Sequence, residues 1–104
     1  MIVRSSALDA VQQALRSAGV KGVSVSRVKG YGEYKDLYSR DPMTEHVRLE
    51  VFTHRLHAAQ IVDAVCSAAS TGGKGDGVIA VLPVENVYRI RDHAAADPHN
   101  PAEV

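Results

Sequence analysis

Two stretches of helical period alternate with stretches of two-residue period, and that order limits the folds open to this chain. Leu8, Val11, Leu15 and Ala18 recur at three- to four-residue steps and predict a first helix. Ser5 or Ser6 is placed to cap its start, and Gly19 supplies a left-handed exit. Ahead of it, Met1 to Arg4 reads as a short strand. Behind it, Val23 and Val25 alternate with Ser24 and Ser26, predicting a strand to about Lys29 with the valines on its buried face. From Gly30 to Thr44 the periodicity disappears, and a loop that long in a small domain is usually functional or mobile. His46 to Phe52 alternates again, with Val47, Leu49 and Val51 on one face and His46, Arg48 and Glu50 on the other. Ala58, Ile61 or Val62, Val65 and Ala69 predict a second helix ending against the glycines from Gly72. Val78 to Leu82 reads as a short buried strand, and Val87 to Arg91 as a last alternating one.

The order is β-α-β-loop-β-α-β, which predicts an α+β, ferredoxin-like βαββαβ split sandwich: an antiparallel sheet with both helices on one face. With 104 residues there is material for one compact domain and not for two. We expect it over residues 1–92, followed by an aperiodic tail from 93 to 104 that frays.

Composition narrows the functional classes. Twelve basic residues balance twelve acidic ones, whereas a protein held to nucleic acid by phosphate attraction normally carries a basic excess. Cys66, the single cysteine, can form neither an intrachain disulfide nor a CxxC site, which fits a reducing cytoplasm; its place beside the apolar stripe predicts a small buried residue. No apolar run approaches a membrane span, and the first residues lack the pattern of a secretory signal, so we expect a cytoplasmic protein that meets a membrane only through a partner. His54 and His57 lie three apart near the second helix with no third ligand of matching spacing, so no metal is expected. No Ser/His/Asp or Cys/His arrangement has a recognisable context, and we expect no enzyme.

The chemistry concentrates in three places. Thr71-Gly72-Gly73-Lys74-Gly75-Asp76-Gly77 holds four of the eight glycines in seven residues. Such a run can aim successive amides at one anion, with Lys74 and the Thr71 hydroxyl adding to the same phosphate. It equally suits a flexible helix-to-strand connection, and it is not a Walker A loop, because a strand follows it instead of a helix. Arg89-Ile90-Arg91, in a strand, sends two guanidiniums from one face toward phosphate or carboxylate oxygens; a solvated face with surface ion pairs is the other reading. Lys29-Gly30-Tyr31-Gly32-Glu33-Tyr34-Lys35 permits a sharp strand exit at Gly30 and Gly32 and a close backbone approach to a ligand, or forms an ordinary loop entrance.

Together these segments resemble the PII signalling family over nearly the whole chain. The resemblance lies in Val20-Lys21-Gly22-Val23-Ser24-Val25, in Val28-Lys29-Gly30-Tyr31-Gly32, in Thr71 to Ile79 and in Val87-Tyr88-Arg89-Ile90-Arg91. It implies a homotrimer with an adenine nucleotide in each cleft between neighbours, a partner-engaging T-loop at about 31–45 and a phosphate-cradling B-loop at about 71–77. Carried over, Gly75, Asp76, Gly77, Arg89 and Arg91 would hold phosphate and ribose. Ser24 and the backbone of Val51, Phe52 and Thr53 would border the adenine.

The departures from the family carry information too. Glu33-Tyr34 stands where typical members carry Arg-Gln, His46 aligns with a family lysine, and Val78 replaces the lysine after the glycine loop. Fewer cations imply weaker retention of a third phosphate, so ADP or AMP is expected to bind better than ATP, and 2-oxoglutarate not to bind. This pattern resembles the divergent carboxysome-associated PII-like proteins, which implies a sensor of inorganic carbon whose T-loop meets a bicarbonate transporter or a carboxysome component. Lys29, Lys35, His46 and Arg48 near the T-loop base are then candidates for holding bicarbonate, and are equally readable as solvated charges. A nitrogen-type regulator binding ATP and 2-oxoglutarate, a small nucleotide hydrolase and a purely structural ferredoxin-like subunit are the alternatives.

Overall fold

The computed structural model describes residues 1–30, 44–97 and 100. A four-stranded sheet is formed by β1 (Ile2–Arg4), β2 (Ser24–Gly30), β3 (Thr44–Glu50) and β4 (Gly77–Val78), in the spatial order β2-β3-β1-β4. Every neighbouring pair is antiparallel. The short first strand therefore sits inside the sheet, with Val3 opposite Val47 on one side and Gly77 on the other. Two crossover helices, α1 (Leu8–Ser17) and α2 (Arg55–Ala69), complete the ferredoxin-like βαββαβ arrangement.

The core follows directly from the alternation. Val3, Val47 and Leu49 leave one face of the sheet and meet Val11 and Leu15 of α1 and Ile61 and Val65 of α2, so both helices cover the same face. Each of these side chains, fully buried, contributes roughly 1.5–3 kcal/mol of transfer free energy.

The helix ends are built as their neighbours dictate. Gly19 takes φ +86°, and the amides of Gly19 and Val20 donate to the carbonyls of Arg16 and Leu15, both at 3.0 Å, closing α1 in a Schellman turn. At its start, Ser5 and Ser6 are spent in a 3₁₀ turn (Ser5–Ala7), and the residue at the cap is Ala7, with no side-chain bond. The expected serine cap is thus absent. In α2 the cap is His54, whose Nδ1 accepts from the Leu56 amide at 3.1 Å.

Three expectations about burial are corrected. Val25 faces the core side opposite Leu49, yet it is 41% exposed because β2 is an edge strand beyond the reach of the helices. The apolar run from Val78 does not form a long buried strand: β4 stops at Val78, and Val81 and Leu82 are exposed, the latter at 74%. Cys66 is exposed rather than buried, one position beyond the Val65 knob of α2.

The C-terminal region also differs from expectation. Val87 to Arg91 does not join the sheet. The amide of Arg89 donates to Ala94 at 2.9 Å and that of Ala96 to Val87 at 2.7 Å, around an isolated Tyr88–Ala95 bridge. The turn is made by Asp92, whose carboxylate accepts from the Ala94 amide at 3.0 Å, and by His93 at φ +60°. Residues 93–96, expected to fray, are folded back on the segment before them. Positions 98, 99 and 101–104 of the expected tail lie outside the described residues.

Candidate functional site

The glycine loop has a shape of its own, set by one carboxylate. Asp76 accepts from the Thr71 amide at 2.7 Å, the Thr71 hydroxyl at 2.5 Å and the Gly72 amide at 3.0 Å. The Gly73 amide donates to the Thr71 hydroxyl oxygen at 3.2 Å, and the Asp76 amide to the Gly73 carbonyl at 3.3 Å. The Thr71 hydroxyl, its amide and the Gly72 amide stabilise the ionised carboxylate, with Arg4 adding its charge, and hold the carboxyl below its ordinary range. Thr71 and Gly72 thus turn inward to Asp76, and the Thr71 hydroxyl expected to add to a phosphate is bonded instead to the loop's own internal anion.

A residue that sequence reasoning missed completes this loop. Arg4, the last residue of β1, donates from Nε to the Gly75 carbonyl at 2.8 Å, and its Nη2 lies 3.7 Å from Asp76 Oδ1. A β-carbon on Gly75 would sit 2.5 Å from that same Nη2, so the guanidinium fills the space a side chain there would need. The signal available was weak: a cation ending an apolar strand whose central place in the sheet is invisible locally. Gly77 is pinned from the other side: at φ +110° it pairs with Val3, and the Ile2 carbonyl fills the space a side chain there would need.

The other predicted positions fall in two further places. Ser24 opens β2 opposite Glu50, so Ser24 and the Val51–Thr53 backbone share the end of the sheet where β3 finishes. Arg4, opposite His46, and the glycine loop lie at the other end, near Lys29 and Gly30. Five residues of extended strand separate Ser24 from Lys29, about 17 Å. A single chain therefore does not bring the expected adenine side and phosphate side together.

Arg89 and Arg91 do not project side by side from a strand. Arg89 Nε contacts Asp92 Oδ2 at 3.2 Å, while Arg91 lies in the turn that leads into that aspartate. Asp92 is held below the usual carboxyl range by the Ala94 amide first and by Arg89 after it. Of the bicarbonate candidates, Arg48 pairs with Glu50 at 2.5 Å on the exposed sheet face, and Lys29 is exposed. His46 is 2% exposed, so it is not among the solvated charges. Gly32 and Lys35 lie outside the described residues, as does most of the T-loop. His54 and His57 meet edge to face with ring centroids 6.5 Å apart, and among the described residues no group of three or more metal-ligating side chains gathers. No helix among the described residues is long and apolar enough to cross a membrane.

A split βαβ sheet with a carboxylate-organised glycine loop at one end and thirteen residues of sequence between β2 and β3 is the arrangement of a class of small regulatory signalling proteins. The profile of the family described as Nitrogen regulatory protein P-II matches residues 1–94, and the chain belongs to that family. It is similar to the nitrogen regulatory proteins P-II of Microchaete diplosiphon and of Synechocystis. Each is 37% identical over 97 residues, covering 86% of this chain and 87% of the relative. The protein of the same name from Azospirillum brasilense shows the same identity and coverage.

Proposed function

We propose that this P-II family protein is a trimeric regulator that takes an adenine nucleotide in the clefts between its subunits, prefers ADP or AMP to ATP, and signals through the T-loop. The observation that carries the reading is the preset glycine loop, in which Asp76 and Arg4 fix the backbone of residues 71–77 before any ligand arrives. Such a loop orders little on binding, so little conformational entropy opposes phosphate capture.

Two further features support an intersubunit cleft. The residues expected around adenine and the glycine loop expected around phosphate lie at opposite ends of one sheet, and a neighbour rotated about a symmetry axis can unite them. Leu82 and Ile90, 74% and 94% exposed in one chain, are apolar surface that a neighbour can cover. The low cation count beyond the glycine loop, with Val78 next to Gly77, supports the preference for fewer phosphates.

In this reading the protein acts in the cytoplasm, and its T-loop docks on a bicarbonate transporter or a carboxysome component, with bicarbonate as a second ligand. That assignment rests on Glu33-Tyr34 and Val78 standing where nitrogen-responsive members differ. The names of the relatives favour a second reading, a nitrogen regulator; the family resemblance implies that such a regulator binds ATP with 2-oxoglutarate. Calorimetry separates the two. Titration with AMP, ADP and ATP, each with and without bicarbonate or 2-oxoglutarate, is expected to show ADP or AMP binding tightest and no effect of 2-oxoglutarate. Tight Mg-ATP binding strengthened by 2-oxoglutarate establishes the second reading instead.

A further inference from the structure

The loop proposed to hold a nucleotide phosphate contains a carboxylate, and that carboxylate is ionised. Asp76 is fixed there by the Thr71 and Gly72 amides, so its charge cannot swing away when a polyanion approaches. Left uncompensated, it opposes phosphate by ordinary Coulomb repulsion. Arg4 reaches the loop from 71 positions away in sequence, donates to Gly75 and places Nη2 3.7 Å from Asp76. Its side chain remains 44% exposed, so the guanidinium keeps a face toward solvent on the loop side of β1.

We propose that Arg4 is a positioning residue that makes the glycine loop receptive to phosphate, by cancelling the Asp76 charge while it braces the Gly75 carbonyl. The inference rests on the nucleotide reading above and adds to it a specific electrostatic requirement. The two jobs are separable by chemistry. Glutamine at position 4 retains a hydrogen-bond donor for the Gly75 carbonyl and drops the charge; lysine retains the charge and loses the planar fork.

The test titrates ADP into the full-length protein, its Arg4→Gln variant and its Arg4→Lys variant, at low and at physiological salt. Arg4→Gln is expected to weaken ADP binding about tenfold or more. Arg4→Lys is expected to stay within about threefold of the parent. The salt dependence of binding flattens in Arg4→Gln, because one cation no longer contributes. Equal ADP affinity in the parent and Arg4→Gln overturns the role of Arg4 and leaves the nucleotide reading standing. An equal loss in both variants also overturns it, since the requirement is then for the fork and not for the charge. If Arg4→Gln does not fold, Arg4→Lys decides alone: retained affinity supports charge compensation, and a tenfold loss refutes it. A parent protein that binds none of AMP, ADP and ATP overturns the nucleotide reading and this inference with it.

Discussion

A β-carbon built on Gly77 would lie 1.9 Å from the carbonyl oxygen of Ile2, closer than any side chain can come to backbone. Gly77 pairs with Val3 across the same junction and takes φ +110°, a region L side chains rarely enter. Contact and torsion act together at one position. Gly77→Ala is therefore expected to destabilise the protein by about 2–4 kcal/mol, read from urea unfolding. Gly72, at φ +81° with open space around it, has the torsion without the collision. Gly72→Ala is expected to cost only about 1 kcal/mol, and equal losses at the two positions would show that torsion alone matters.

Leu15 of α1 is 1% exposed and belongs to the core cluster that α1 shares with the sheet and α2. Leu15→Ala leaves a void there, with an expected loss of about 2–5 kcal/mol in denaturant unfolding. The first helix should still form, since Gly19 and its closing bonds are untouched.

The Asp76 carboxyl is depressed by the Thr71 hydroxyl first and then by the Thr71 and Gly72 amides. A depressed folded-state value means that the unfolded chain binds the proton more readily. The stabilisation is fully present above the unfolded carboxyl range, near pH 4, and disappears as pH falls through the depressed value. Acid unfolding of the parent should therefore steepen below about pH 4, and Asp76→Asn should remove that part of the pH dependence. Identical acid profiles would disconnect the loop bonds from stability.

Ile90 is almost wholly exposed in the single chain, so Ile90→Asp should leave the unfolding of an isolated subunit within about 0.5 kcal/mol. In an assembly that covers this surface, the same change buries a charge. The expected outcome is a shift from trimer toward monomer in sedimentation, with circular dichroism unaltered. A sedimentation profile identical to the parent's places Ile90 outside any interface.

If nucleotide occupancy reaches the T-loop, ADP should change the rate at which a protease cuts between Gly30 and Thr44. A ligand shifts only those equilibria whose states it binds unequally. Equal cleavage rates with and without ADP would argue that the loop does not sense the cleft.

The elements legible in the sequence are those whose burial comes from within the chain. Leu8, Val11 and Leu15 disclose α1 because they meet Val47, Leu49 and Val65 of the same subunit. Gly19 discloses its end because a positive φ is a local demand. The run from Val78 to Leu82 misled because within it only Ile79 packs against the chain's own core, while Val78, Val81 and Leu82 are exposed. Arg89 and Arg91 read as strand neighbours, since alternation cannot reveal that Asp92 turns the backbone just beyond them. Of the candidate site, the glycine loop was visible by composition alone. Arg4 was not, because what gives it meaning is a strand order that joins positions 4 and 75.

That strand order has a temporal side. Ile2 takes Arg48 as one lateral neighbour and Val78 as the other, so β1 is made before both strands that flank it, and its second flank is the last of the four strands to follow. During translation β1 can pair with β3 first, and its other edge stays open until Gly77 and Val78 have followed. Pairings so distant along the chain are slow to form, so the β1–β4 ladder is expected to close the sheet last.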